Sequence, residues 1–270
     1  MLEFFYQVNP LNQIKILVGE TPLLGDIAVW ANNRVKGTLK TNPSYWISRV
    51  ITSPLAQIVQ IGSNDGKFND PLKRLLKTRR NWKALFVEPV PYLFDRLKAN
   101  YGTAERFAYE NAAINDGRSA KFFWVDESAK SAFPNLPPWY DQLGSFDRNH
   151  ILKHLPQLES FIRETEVVGI TLSDLFDKHQ LTSIDVLHID TEGHDFKILS
   201  QLDLKKFQPT IVLYEHQHLS PDEKRASISF LKPDYEIFEW GADMFAVSRL
   251  AGETVRSTLR SLDSYRVTDR

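Results

Sequence analysis

Two short stretches of this chain gather carboxylates and imidazoles at the spacing that proton chemistry needs. Asp190-Thr191-Glu192-Gly193-His194-Asp195 follows the apolar run Ile184–Ile189, and Glu215-His216-Gln217-His218 follows Thr210–Tyr214. A histidine beside a carboxylate can take a proton from a hydroxyl near neutral pH, because an unperturbed imidazole titrates at about 6.5. His194 is therefore the first candidate for a general base. Asp190 would orient it or receive the proton, and His216 is the reserve. His218 stands just ahead of a helix start and reads as solvated. Asp190, Glu192, His194, Glu215 and His216 would also suit a divalent ion; with a histidine base available, the expected chemistry is metal-independent.

A third stretch has the character of a ligand cradle. Ala56–Gly66 reads AQIVQIGSNDG: Ile58, Val59 and Ile61 make a short β-branched run that breaks at Gly62-Ser63-Asn64-Asp65-Gly66. Asp70 and Pro71 then look like a helix cap and first helical residue, with Leu72, Leu75 and Leu76 at helical spacing. Strand, glycine loop and helix form the nucleotide-binding opening of a doubly wound α/β fold. A dinucleotide site uses G-x-G-x-x-G to bring backbone N–H groups onto a pyrophosphate. Here the glycines are four apart with Asp65 between them, and a carboxylate would repel a pyrophosphate. S-adenosylmethionine, with a sulfonium, an ammonium and one carboxylate, suits such a loop better. Ala84–Val87 is a second apolar strand ending in Glu88, 22 residues beyond Gly66, where an acid accepts hydrogen bonds from both ribose hydroxyls.

The remaining elements must bring these stretches together. Helices are expected over about 90–101, from Ser145 to about Leu155, from Thr171 to about Lys178, and from the capping box Ser220-Pro221-Asp222-Glu223. Strands are expected at Glu105–Ile114, Lys121–Val125, Ile184–Ile189 and Thr210–Tyr214, with a closing hairpin, Tyr235–Trp240 and Met244–Ser248. The order is about five β-α units and a terminal hairpin, so the polar strand tips converge on one rim. The aromatic, proline-rich loop 126–145 is long enough to imply a function. Three regions follow: an N-terminal, partly helical cap over 1–55, a cofactor-binding domain over 56–250, and a frayed polar tail over 251–270.

With 33 Lys and Arg against 34 Asp and Glu, no global field points to nucleic acid or an anionic membrane. The basic run Lys73, Arg74, Lys77, Arg79 and Arg80 reads as a solvated helix face. The absence of cysteine excludes disulfides and thiolate metal sites. No basic region precedes an apolar segment at the N-terminus, and nowhere do 18 apolar residues run together. The expectation is a cytoplasmic protein without a membrane span, its oligomeric state open.

VQIGSNDG (59–66), FVEPVPYLFDRLKANY (86–101), NAAI (111–114), DVLHIDTEGHDFKIL (185–199), PTIVLYEH (209–216) and DMFAV (243–247) together resemble the FkbM family of S-adenosylmethionine-dependent methyltransferases. IDTEGHDFKIL is the most distinctive of these. The resemblance implies a class I methyltransferase sheet, seven-stranded and mostly parallel with a reversed final hairpin. It also implies O-methylation of a hydroxyl, often on sugars or other small metabolites. Carried over, it places Gly62, Ser63, Asn64 and Gly66 under the methionine and ribose, Glu88 at the ribose, Asn111 and Ala112 near the adenine, and Asp190 and Glu192 at the reaction centre. Gln60 departs from the pattern, standing where many such enzymes have an acid, and Asp65 or Asp190 would replace it at the cofactor's ammonium. That departure motivates an alternative, a non-catalytic cofactor-binding or scaffold protein. A nicotinamide-dependent oxidoreductase is disfavoured by Asp65 and the missing glycine.

Overall fold

The computed structural model describes residues 42–268; the greater part of the expected N-terminal cap, 1–41, lies outside them. The described residues begin with α1 (Pro43–Val50), where Asn42 accepts a hydrogen bond from the Tyr45 amide and Pro43 occupies the first turn. Its Trp46, Ile47 and Val50 are buried in the same core as Ile58, Phe86 and Phe245 of the main sheet. The last part of the 1–55 region is thus continuous with the domain it was expected to cap.

A seven-stranded sheet carries the architecture. Its strands are β1 (Gln57–Ile61), β2 (Lys83–Val87), β3 (Phe107–Glu110), β8 (Val186–Ile189), β9 (Ile211–Glu215), β10 (Tyr235–Trp240) and β11 (Asp243–Ser248). They lie in the order β10-β11-β9-β8-β1-β2-β3, parallel except where β11 pairs antiparallel with both β9 and β10. This is the expected mostly parallel sheet with a terminal hairpin. Strand order reverses between β1 and β8, the position at which such sheets bind ligands beyond their carboxyl ends.

The alternation of side chains divides the core in two. Ile58, Ala84, Phe86, Val186 and Leu213 face one side. Val59, Ile61, Leu85, Leu187, Ile189 and Val212 face the other, against α6 (Leu172–Lys178) and α7 (Asp195–Leu199). α2 (Lys73–Thr78) starts two residues later than Asp70-Pro71 suggested. Asp70 is drawn inward instead, accepting hydrogen bonds from the Leu72 amide, Gln60 and the Tyr101 hydroxyl. α3 (Pro91–Tyr101), Thr171 as the cap of α6, and the Ser220–Glu223 capping box of α8 (Pro221–Leu231) match the sequence reading.

Between β3 and α6 the chain builds an insert. The expected third strand, Glu105–Ile114, is interrupted at Asn111–Ala112: β3 ends at Glu110, and β4 (Ala113–Ile114) leaves the sheet to pair with β7 (Gly169–Ile170). β5 (Ala120–Val125) pairs antiparallel with β6 (Ile162–Val167), a partner the sequence did not reveal because Arg163, Glu164 and Glu166 mask its alternation. The loop 126–145 holds one short helix, α4 (Ala129–Ala132), and Leu136, Tyr140 and Leu143 are buried in a core of its own with Ile151 and Leu158. α5 (Arg148–His154) is capped by Asp147, not Ser145, which instead bridges to Phe123.

The segment after 250, read as a frayed tail, is ordered through most of its length. α9 (Glu253–Leu259) and a 3₁₀ turn (Arg260–Tyr265) bury Leu259 and Leu262 against the first core. Two leucines among many polar residues are a weak periodic signal, yet enough to dock a short helix. Among the described residues, no helix is long and apolar enough to cross a membrane.

Candidate active site

A cavity of about 690 Å³, including its solvent-open mouth, lies beyond the carboxyl ends of β1, β2 and β8. Its floor comes from the glycine loop. Gly62 has φ +77°, and a Cβ there would stand 1.7 Å from the Asp190 carbonyl oxygen, so only glycine lets β1 and β8 end this close together. The amides of Gly62 and Ser63 both donate to the Val87 carbonyl at 3.0 Å, tying the loop to β2. Gly66, at φ +63°, leaves no room for a side chain against Leu97 and Tyr101 of α3.

Glu88 is buried, and its two carboxylate oxygens accept from the Asn64 amide at 2.8 Å and the Val90 amide at 2.9 Å. Burial pushes its pKa up to about 7 against the pull of those two hydrogen bonds. Each oxygen keeps a further lone pair for a ligand hydroxyl.

The opposite wall is acidic. Asp190 is exposed to the cavity while protein packs closely around it, and Asp195, Glu192, Asp243 and Glu88 add negative charge. Its pKa is raised well above the usual carboxylate range, first by desolvation and then by that repulsion. Asp195 accepts from the Thr191 and Gly193 amides at 3.3 and 3.2 Å, and burial moves it to about 7. Glu192 is held at φ +55°, and its carboxylate meets His150 Nε2 at 2.8 Å.

His194 lines the cavity beside Phe146, ring centroids 4.9 Å apart. Burial lowers its pKa to about 4, so it is neutral at physiological pH but holds a proton poorly. This departs from the unperturbed value on which its role as base was premised.

The structure therefore gathers Gly62, Asn64, Glu88, Ala112, Asp190, Glu192 and His194 around one cavity. Others of the expected set stand outside it. The Asp65 carboxylate turns back to the Lys67 amide at 2.8 Å and builds the loop instead of facing the cavity. Ser63 is buried, its hydroxyl donating to the Gln60 carbonyl. Asn111 fastens the end of β2 by donating to the carbonyls of Glu88 and Pro89 at 2.8 and 3.2 Å. His216 is buried near Glu239, 3.7 Å away, away from the cavity lining. His218, read as solvated, is largely buried with Glu192. Gln60 points to the opposite face of the sheet, towards Asp70, so its departure from the acid pattern does not touch the cavity.

The insert supplies residues the sequence reading did not assign: Phe122, Asp141, Gln142, Gly144 and Phe146 close the cavity from above. For Asp141, Gln142 and Gly144 the only signal was the length and aromatic content of the loop 126–145; Phe122 fell in an expected strand and Phe146 in an expected helix. Among the described residues, four carboxyl groups (Glu88, Asp141, Asp190, Glu192) line the cavity, and no lysine or arginine does. That lining attracts a cation and repels a pyrophosphate. It takes over the argument against a dinucleotide that had rested on Asp65.

The methyltransferase FkbM domain model matches residues 60–248, most of the chain and all of the cavity. The chain belongs to the FkbM methyltransferase family. It is thus an S-adenosylmethionine-dependent methyltransferase, and the acid-lined cavity, with a buried carboxylate offering free lone pairs, fits a sulfonium cofactor that carries a ribose. A search of curated proteins finds no significant match. Similar solved structures include a precorrin-6y C5,15-methyltransferase from Geobacter metallireducens GS-15 (10% identity, 76% of this chain and 84% of that one, TM-score 0.40). They also include the Methanococcus jannaschii fibrillarin pre-rRNA processing protein (10%, 74% and 69%, TM-score 0.39). A third is a TehB-like SAM-dependent methyltransferase from Corynebacterium glutamicum ATCC 13032 (12%, 81% and 92%, TM-score 0.34).

Proposed function

We propose that this methyltransferase acts on oxygen, its acceptor being a hydroxyl of a saccharide or another small metabolite. The observation that supports this is a second groove, about 700 Å³, which shares Phe146 and His194 with the cavity and continues past Asn115, Asp116, Lys197 and Gln201. One aromatic ring among polar side chains of both charge signs suits a neutral, polyhydroxylated ligand. The ring packs on C–H faces while the polar groups exchange hydrogen bonds.

S-adenosylmethionine supplies a methyl group on a positively charged sulfur. In this reading Glu88 accepts hydrogen bonds from the ribose hydroxyls, and the glycine loop lies against the methionine and ribose. Asp190 takes the proton from the acceptor hydroxyl. Burial and the surrounding acids raise its pKa, which makes its ionised form more basic than an ordinary carboxylate. His194 and Phe146 form the wall between the two spaces and fix the acceptor's approach.

Incubation with methyl-labelled S-adenosylmethionine and separate pools of oligosaccharides, glycosides and small hydroxylated metabolites tests the proposal. The expected product carries the label as a methyl ether, identified by NMR. Label appearing only on nitrogen or carbon, or only in nucleic acid or protein, would overturn it.

A further inference from the structure

Beside the cavity, side chains from three separate elements converge in an arrangement that hydrogen bonding leaves incomplete. His150 and His154 sit one turn apart on α5 and project from the same face. His218 comes from the turn after β9, and Glu192 from the loop after β8. The ring centroids of His150, His154 and His218 are 4.9, 4.9 and 5.2 Å apart, and ligand atoms of the three lie within 4.8 Å of one another. The same limit holds for Glu192, Glu215 and His218. Glu192 Oε2 lies 2.8 Å from His150 Nε2 and 3.4 Å from His218 Nε2. Two buried atoms in the cluster, His154 Nε2 and Glu215 Oε2, have no hydrogen-bond partner among the described residues. Buried polar atoms are normally satisfied, so two orphans in one cluster of donors call for a ligand.

We infer that His150, His154, His218 and Glu192 bind one divalent transition-metal ion of the zinc type, with Glu215 beside it. The donor set selects the class of ion. Three imidazoles and a carboxylate suit zinc and its neighbours, whereas magnesium and calcium take oxygen donors and would leave the imidazoles unused. Metal–nitrogen bonds of about 2.0–2.1 Å put tetrahedral donors roughly 3.4 Å apart, so the three imidazoles, within 4.8 Å of one another, close on an ion by shifts of about 1 Å, and Glu192, already beside His150 and His218, turns to complete the set. Of the four ligands only Glu192 lines the cavity. The ion would therefore act as a clasp. It joins α5 of the insert to the loops after β8 and β9, and so holds the roof of the cavity to the strand ends. The inference rests on side-chain geometry alone and stands whatever the acceptor is.

The test uses the full chain, stripped with a chelator and titrated calorimetrically with Zn²⁺ alone. One ion per chain is expected, with a thermal midpoint several degrees higher, since an ion that binds only the folded state stabilises it. Co²⁺ should give the visible absorption of a four-coordinate site. H154Q should bind Zn²⁺ at least tenfold more weakly while keeping the wild-type midpoint in chelator and the wild-type affinity for S-adenosylhomocysteine. If H154Q does not fold, H218Q, from the other side of the cluster, takes its place. Absence of stoichiometric Zn²⁺ uptake by the wild type, equal uptake by the folded variant, or an equal rise in midpoint with Mg²⁺ would each overturn the inference. S-adenosylhomocysteine binding reports separately on the cofactor site, so loss of one reading leaves the other intact.

Discussion

The strand ends of β1 and β2 and those of β8 and β9 form two halves of one rim, built on opposite electrostatic terms. At β1 and β2 the polar groups are answered by the chain itself. Val87 receives two amides, Glu88 accepts two more, and Asn111 donates to the carbonyls at the end of β2. At β8 and β9 the acids crowd one another: Asp190 is raised well above normal and Glu215 is pushed up to about 10, while burial moves Asp243, paired with Glu215 from β11, to about 6. Desolvation is the common first cause. The first half is preorganised to hold a ligand of fixed shape. The second is strained until something positive arrives, as sites that do chemistry commonly are.

Breaking the strained half should produce the largest effect. Asp190→Asn removes the proposed base, and kcat is expected to fall by about 10²–10⁴-fold, with S-adenosylhomocysteine affinity within a few-fold of wild type. The thermal midpoint should hold or rise, because one charge leaves a repelling group. A fall in kcat of less than tenfold would end the assignment of Asp190 as base.

The preorganised half should respond in binding. Glu88→Ala is expected to weaken S-adenosylhomocysteine binding about ten- to a hundredfold, corresponding to about 1.5–3 kcal/mol for a hydrogen-bond acceptor with charge. The carboxylate accepts hydroxyls best when ionised, and its folded pKa is about 7 against an ordinary 4.5. Wild-type affinity should therefore strengthen as pH rises from about 6 to 8, and calorimetry on Glu88→Ala should lose that slope. For stability without ligand the sign is opposite. A raised carboxyl pKa contributes stability that is fully present below about 4.5 and is lost as pH climbs through about 7. The wild-type thermal midpoint should fall over that window relative to the variant.

The smallest effect belongs to the far face of the sheet. Gln60→Leu removes one long hydrogen bond, 3.3 Å to Asp70, and a buried amide oxygen without a partner among the described residues. Stability should change by less than about 1 kcal/mol, and S-adenosylhomocysteine affinity should stay within twofold. A tenfold loss of affinity would place Gln60 functionally at the cavity and erase the distinction between the two faces.

Much of this was written locally in the chain. The apolar runs at 58–61, 84–87 and 184–189, the glycine loop and Glu88 just past a strand are each set by nearest-neighbour chemistry: β-branched burial, φ > 0 tolerance and an acid at a fixed distance. Those signals pointed to the sheet and the cofactor, and the longer motif IDTEGHDFKIL carried the resemblance to the family. Boundaries that depended on a partner were not legible. Asp70 looked like a cap because a cap and a buried acceptor for Tyr101 are the same residue type. β6 hid its alternation behind charges, and the last leucines docked a helix that composition alone did not require.

What the sequence alone determined, then, is the fold class and which polar residues stand just past the strand ends, because those follow from periodicity and short-range spacing. Tertiary structure decided which of them face the cavity. It turned Asp65 and His216 away, lowered His194 by burying it, and raised Asp190 by surrounding it with acids. It also brought His150 and His154 against His218, more than sixty residues along the chain. A pKa and a ligand cluster are properties of what surrounds a side chain, and those surroundings come from parts of the chain that local sequence does not describe.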